Sequence, residues 1–545
     1  MKKGLKKAIC SVLAAVSLLS AGGCIDHGQK VDKNKTQLYV GLYNGGWGND
    51  WLYKAKEGFE KMFDKYEIVI TPKKDDYEYA NLKNSIKNDP NDMYITACSY
   101  YNYLQDKTLL DITDCVTSDM ADVGESGASI EGKLKDRYKS FYRLSDGKYY
   151  AVPFGSSVWG LNYDVDLFEE SELFISQSDG SGKNIVWTSG KDGASAKSAG
   201  RDGKTGTYDD GCPVTFAEFK ALLSRMRQKN ITPFTWSEQL GYGFNVLMSL
   251  VADAEGAENF DVLKTLDGSF TGYDGKTYDV TRGTGYLVNY LPGKKYALDF
   301  ASEIAGNPAN YSSVAGTLGF TQSQDAYILS KANAASGNEE KRIAFIIEGG
   351  HWYNEAKAYI NETNGTIYPE YANGRRFSVM PFPTFDGRAG TTATYLESSH
   401  QFSMFVNAQT SKADIAKLFI KYLCTDETVR MSAAMSGIIR ACDYTLSAAE
   451  LAQMPYYYAE LYKLQNSDSV NLVSLRMNDK FYIENQSMES LAWIWSGSFI
   501  NSKGNKASLS DPFADFKAYG SKENLTPEKY MEGSVKTFED AFKKY

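Results

Sequence analysis

QLYVGLYNGGWGNDWLYKAKEGFEKMFDKYEIVIT, residues 37–71, is the stretch on which the fold turns. Gln37 to Tyr43 is dense in β-formers and reads as a strand. Asn44-Gly45-Gly46-Trp47-Gly48-Asn49 then makes a loop, and Asp50 is suited to cap a helix. In that helix Leu52, Ala55, Phe59, Met62, Phe63 and Tyr66 recur at helical spacing with Lys and Glu between them. Glu67 to Thr71 (EIVIT) is the next strand. Strand, loop, helix, strand is how an α/β lobe with a largely parallel sheet begins.

The same grammar continues outward. Asp92 to Ala97 reads as a third strand and Tyr149 to Pro153 as a fourth. Thr215 and Glu218 have capping-box spacing, followed by the apolar stripe Phe219, Leu222, Leu223 and Met226. Ser411 opens another helix, with Ile415, Ala416, Phe419, Ile420 and Leu423 on one face. Thr526-Pro527 is a cap with proline at the first helical position, ahead of Tyr530, Val535, Phe538 and Phe542. Gln177 to Gly211 breaks the pattern: rich in Gly, Ser, Lys and Asp, it reads as a long surface insertion or an irregular hairpin. At 545 residues, 43% hydrophobic and 23% charged, the chain is globular and too long for one core, so two lobes are expected. Aromatics make up 14%, with 39 Tyr and 8 Trp. A net charge of −9 argues against nucleic acid as a partner, and three His leave little for a His-rich metal site or a His-based triad.

Residues 1–23 read as an export signal. Lys2, Lys3, Lys6 and Lys7 precede an apolar run from Ala8 to Leu19 that is short for a membrane span. Ser20, Ala21, Gly22 and Gly23 lead to Cys24, which resembles a bacterial lipobox with Ala21 where Leu is usual. The expectation is acylation of Cys24 as the mature N-terminus, with residues 24–36 as a flexible tether. Loss of four Lys and no acid takes the charge from −9 to −13. Cys98, Cys115, Cys212, Cys424 and Cys442 contain no CxxC pair. A Cys98–Cys115 disulfide and burial as reduced small hydrophobes are both open.

Several stretches, in order and spacing, resemble the bacterial extracellular solute-binding proteins of the maltose-binding type, the capture components of carbohydrate ABC importers. They are residues 43–61 (YNGGWGNDWLYKAKEGFEK), 109–116 (LLDITDCV), 147–170 (GKYYAVPFGSSVWGLNYDVDLFEE), 206–223 with ITPFTWSEQ after it, 347–356 (IEGGHWYNEA), 379–387 (VMPFPTFDG) and 418–438. Ile439-Arg440-Ala441 departs from the family, which often has a Pro there. The resemblance implies a two-lobed periplasmic-binding-protein-like α/β fold of type II, with the ligand between lobes joined by crossover hinges. Lobe one would be 37–152 plus 375–445, and lobe two 153–374 plus 446–545, with crossings near Val152–Ser156, Arg375 and Cys442. It also implies a non-enzyme monomer without cofactor or metal. Such a protein would be lipid-anchored on the outer face of the cell membrane and would pass an oligosaccharide to permease subunits.

A pyranose has apolar C–H faces and a belt of hydroxyls, so its site needs aromatic faces beside carboxylates and amides on loops at strand ends. Asn44 and Trp47 follow the first strand, where Gly45 and Gly46 allow close backbone approach. Tyr100 and Tyr101 follow the third. Ser156, Ser157 and Trp159 lie at the first crossing. Trp236, Glu238 and Tyr242 follow the ITPF strand, and Glu348 to Trp352 lie on a Gly-Gly loop. Glu397 and His400, and Trp493 or Trp495, complete the candidates. Trp47, Tyr100, Tyr242 and Trp352 are the expected stacking platforms, the alternative for each Trp being a place in the core. His351 reads as a loop hydrogen-bond donor, Asp209-Asp210 as a turn, and the Tyr456–Tyr458 run as helix packing.

A glycoside hydrolase would need two carboxylates across a scissile bond, and none of the 68 acids is singled out. Ser198 to Thr205 (SAGRDGKT) nearly spells a P-loop but has Ser for the first Gly and no strand before it. An adhesive surface lipoprotein is the remaining alternative.

Overall fold

Leu38, Val40 and Leu42 alternate along the first strand and are all buried, which fixes the inner face of a sheet. In the computed structural model the chain is described over residues 31–545, apart from 74–76, 78, 98–100, 192–195, 239, 336–340, 357–374, 386–389, 398–401, 475–491 and 543–545. Cys24, Cys98, Tyr100 and His400 therefore lie outside the described residues. The strands that matter for the site are β1 (Thr36–Tyr43), β2 (Tyr66–Lys73), β3 (Met93–Ala97), β4 (Val152–Ser156), β5 (Trp159–Asp164), β6 (Thr232–Thr235), β7 (Ile343–Gly349), β8 (Phe377–Met380), β9 (Ala393–Leu396), β10 (Phe402–Val406), β11 (Ile439–Arg440) and β12 (Val470–Val473).

These strands make two principal sheets over two separate hydrophobic cores. The first runs β11-β4-β10-β3-β1-β2, with β1 parallel to β2 and β3 and with β10 antiparallel to β3 and β4. The second runs β8-β5-β7-β6, with β5 antiparallel to both neighbours and β7 parallel to β6. Beside it β9 pairs in parallel with β12.

The opening helix spans Asp50–Met62 and buries Trp51, Leu52, Ala55 and Phe59. Asp50 is its first residue rather than its cap, and Asn49 before it makes no side-chain capping bond. Met62, expected inside, sits in the last turn and is exposed, while the Phe63 and Tyr66 rings fold back on Phe59. Thr215 and Glu218 form the expected capping box. The expected face of helix Ala413–Leu423 is buried in full, and Pro527 opens helix Pro527–Phe542.

Two expectations change. The sequence places the return to the first lobe near Arg375, but Arg375 is buried in the second. Burial opposes the charge of Asp164, yet the guanidiniums of Arg375 (2.7 Å) and Arg342 (2.8 Å) outweigh it and hold the carboxyl down to about 2. That knot ties β8 to β5, and Phe377, Val379, Met380 and Phe382 all enter the second core. The chain recrosses only after Leu396, since β10 belongs to the first sheet. The other crossings lie between β4 and β5, at Ser157, and between Cys442 in the first core and Tyr457 in the second. The second change concerns residues 177–211, which begin as a hairpin (Phe174–Ser178 with Ile185–Thr188) but are not loose on the surface. Arg201 is buried, pairs with Asp253 at 2.6 Å and donates to the Thr392 carbonyl at 2.8 Å. Asp209 accepts the backbone N–H groups of Arg201 and Asp202, and Asp210 that of Gly206, so the near-P-loop is a set of carboxylate-held turns.

Among the described residues Cys115, Cys212, Cys424 and Cys442 are buried free thiols, and burial pushes Cys115 up to about 12. They pack as small hydrophobes. No helix among the described residues is long and apolar enough to cross a membrane.

Asp325, in helix Phe320–Ala335, is pushed up to about 6 by burial. A carboxyl raised on folding takes up a proton on folding, so the stability linked to it is present at low pH and is lost as pH rises through about 6. Asp325→Asn is expected to stabilise the protein by about 1 kcal/mol at pH 7, after discounting for partial exposure, and to leave it unchanged at pH 4. Urea unfolding at the two pH values checks this; a gain of equal size at both would assign the effect to something other than the charge.

Candidate functional site

The loop after β1 in the first lobe faces the turn after β7 in the second, above the Ser157 crossing. Two glycines let the loop come close. Gly46 (φ +76°) and Gly48 (φ +66°) adopt the left-handed conformation, and a Cβ on either would press on His351 or Asn354.

Aromatic rings from both lobes gather at this contact. Trp47 is edge-on to His351 and to Phe402, 5.9 Å between centroids in each case, and Tyr43 is 5.9 Å from Phe402. From the second lobe Trp159 is edge-on to Tyr242 (5.2 Å) and to His351 (5.5 Å), and Tyr242 lies parallel to Phe320 at 6.4 Å. Of the expected residues, Trp47, Trp159 and Tyr242 thus come together, with Asn44 half-buried at the start of the same loop.

Beneath the rings lies Glu348, buried at the end of β7. Gln324 donates to its carboxyl at 3.1 Å and to Glu355 at 2.8 Å, and the Gly349 N–H donates at 3.0 Å. Burial first, then the nearby charge of Glu355, push the Glu348 carboxyl well above the usual carboxylate range. Both effects favour its neutral form, and a protonated carboxyl can donate as well as accept. His351 Nε2 stands 3.9 Å away. The same two acids, after burial, also raise the Tyr242 hydroxyl.

Trp159 is buried, yet its indole Nε1 has no hydrogen-bond partner among the described residues. An unmade bond of this kind costs about 1–3 kcal/mol. The side-chain oxygen of Asn245, one turn on from Tyr242, is in the same condition, as is that of Asn49.

The other expected residues have different places. Trp352 is not a platform: it starts the turn after Gly350 pointing inward, fully buried against Tyr327, Phe377 and Tyr457, and its N–H donates to Asn162 at 3.1 Å. The Gly-Gly signal located the loop, but the ring it presents to the other lobe is His351. Trp236 packs in the second core against Tyr311 and Phe513, and Trp495 is buried there too. Glu238 is exposed to solvent. Ser156 and Glu397 are buried in a joint between crossings: the Glu397 carboxylate takes two bonds from Arg137 (2.9 and 3.1 Å), one from Tyr138 (2.7 Å) and one from Ser156 (2.9 Å). Tyr100 and the side chain of Trp493 lie outside the described residues. Tyr43, Phe320, Gln324, Asn245 and Phe402 were not expected at the site. Only Tyr43, at the end of a strand beside the Gly-Gly loop, carried a readable signal.

The family model described as bacterial extracellular solute-binding protein matches residues 54–453. Among solved structures, the raffinose complex of the solute-binding protein RafE aligns over 93% of this chain and 100% of its own, with 13% identity and a TM-score of 0.55. A chitin oligosaccharide binding protein aligns over 93% and 99%, with 16% identity and a TM-score of 0.53. The GacH receptor of Streptomyces glaucescens, described unliganded and with acarbose, aligns over 94% and 99%, with 13% identity and a TM-score of 0.53. These likenesses are of fold. Comparison with the curated proteins returns no match.

Proposed function

Since the chain belongs to the bacterial extracellular solute-binding protein family, we propose that it captures an oligosaccharide between its lobes and hands it to the permease of an ABC importer. The observation that carries this reading is the set of Trp47 and Phe402 from one lobe and Trp159 and Tyr242 from the other, bridged by His351, with a Trp159 N–H that has no partner among the described residues and the buried Glu348 carboxyl beside it. Rings of this kind cover the C–H faces of a sugar, and the two polar groups meet its hydroxyl or ring oxygens. The fold similarity to proteins described with raffinose, chitin oligosaccharide and acarbose supports a saccharide over other solutes. In this reading the protein does no chemistry on its ligand and acts as a monomer. Cys24, acylated, holds it at the outer face of the cell membrane, and closure of the lobes forms the surface that the permease recognises.

The test is tryptophan fluorescence titration of the mature chain with raffinose and with malto-, xylo- and chito-oligosaccharides, alongside a reducing-sugar assay. Saturable quenching by one series without release of reducing ends supports the proposal. Turnover, or no response to any saccharide, sinks it. Trp159→Phe then tests the indole as a whole: the affinity for the responding sugar is expected to fall about tenfold, and the ligand-free protein is expected to lose some stability because the smaller ring leaves a cavity at a buried position.

A further inference from the structure

Asn354 joins the two lobes by itself. Its Nδ2 donates to the Gly46 carbonyl of the first lobe at 3.0 Å, and its Oδ1 accepts the Tyr458 hydroxyl of the second at 3.1 Å. Gly46 carries φ +76°, a conformation that turns the loop onto the 349–354 turn, and a Cβ on Gly48 would stand 2.8 Å from Asn354 Nδ2. Tyr458 is buried and reaches back to the first lobe: a Cβ on Gly437 would lie 2.4 Å from its ring. Gly437 ends helix Asp426–Ser436 in the left-handed conformation, directly before β11 and the third crossing. A continuous line of contact therefore runs from the mouth of the cleft (Gly46) through Asn354 and Tyr458 to the hinge (Gly437), and every link is made by the chain alone.

We infer that Asn354 is a clasp that sets the balance between open and closed lobes in the ligand-free protein, with Tyr458 holding its amide in register. The amide suits this role because it must donate forward to a carbonyl and accept from behind a hydroxyl at once, which neither a carboxylate nor an aliphatic side chain can do. A clasp that closes the lobes before ligand arrives pre-pays part of the ordering that binding otherwise requires, and its strength then tunes affinity from outside the ring cluster. The inference rests on the lobes moving as the proposed function requires, but not on what the ligand is.

The experiment uses no ligand. Small-angle X-ray scattering and thermal melting are recorded for the mature chain, Asn354→Leu, Asn354→Asp and Tyr458→Phe. The wild type is expected to scatter as a closed particle. Asn354→Leu and Asn354→Asp, which both lose the donor to Gly46, are expected to shift the open-to-closed ratio about tenfold toward open, one hydrogen bond's worth, with only a small fall in melting temperature. Tyr458→Phe, which keeps the ring against Gly437, is expected to shift it less. Identical scattering from wild type and both Asn354 variants would overturn the inference. So would a large fall in melting temperature without any opening, since that would make Asn354 an ordinary packing residue. A failure here leaves the saccharide titrations standing, and their failure leaves the scattering result standing.

Discussion

Trp352→Ala is expected to cost about 3–5 kcal/mol of stability, the range for truncating a fully buried large aromatic. The indole is packed edge-on against Tyr327 (5.8 Å), Phe377 (5.0 Å) and Tyr457 (5.8 Å), so the missing ring leaves a cavity bounded by rigid side chains that cannot collapse into it. Its N–H also leaves Asn162 Oδ1, which then keeps only the Tyr457 hydroxyl (2.5 Å), while Asn162 Nδ2 still donates to the Glu348 carbonyl beneath the ring cluster. The check is urea unfolding followed through the second lobe, with the saccharide titration repeated on whatever remains folded. A large loss of stability with binding retained by the folded fraction is the expected pair of results. Unchanged stability with abolished binding would return Trp352 to the role of a ligand platform.

Glu397→Ala is the second large effect, expected at about 3–5 kcal/mol. Its carboxylate is wholly buried and holds Arg137 through two nitrogens, the Tyr138 hydroxyl and the Ser156 hydroxyl. Helix Asp136–Tyr142 supplies the first two from the first lobe, Ser156 ends β4 at the first crossing, and Glu397 follows β9 at the second. One carboxylate thus gathers two of the three connections between lobes. Removing it takes the buried carboxylate from a half-buried guanidinium and leaves the buried Tyr138 and Ser156 hydroxyls with only each other, at 3.0 Å, inside the joint. Glu397→Gln, which keeps the volume but accepts fewer bonds and carries no charge, is expected to lose less. Denaturation of both variants with scattering in parallel tests this. Full stability in Glu397→Ala would mean that the joint is not structural and would reopen a direct role at the ligand.

These two residues mark the boundary of what local pattern carries. Local pattern points both Trp352 and Glu397 toward a ligand: one follows paired glycines after a strand, the other lies in the second segment expected for lobe one. What reversed both readings is identity at a distance. Asn162, Phe377 and Tyr457 take Trp352 inward from three separate parts of the chain, and Arg137 reaches Glu397 across 260 residues. Phe402 and Phe320, which do join the ring cluster, had no local signal, because a Phe in a strand or at a helix start looks the same whether it faces a cleft or a core.

The sequence by itself determined the α/β class, the β1 to β2 opening unit, the capped helix at Phe216–Gln228, the family and the loops that meet between the lobes. Each of those is written in spacing over a few turns or strands, and backbone geometry converts spacing into direction at once. Only the tertiary structure decided where the chain recrosses after Leu396, which ring of each loop turns toward the other lobe, and that Asn354 closes the gap. Those outcomes depend on which face is already filled when two distant segments meet, and a burial contest of that kind is settled by packing volume and charge pairing between residues that no local pattern connects.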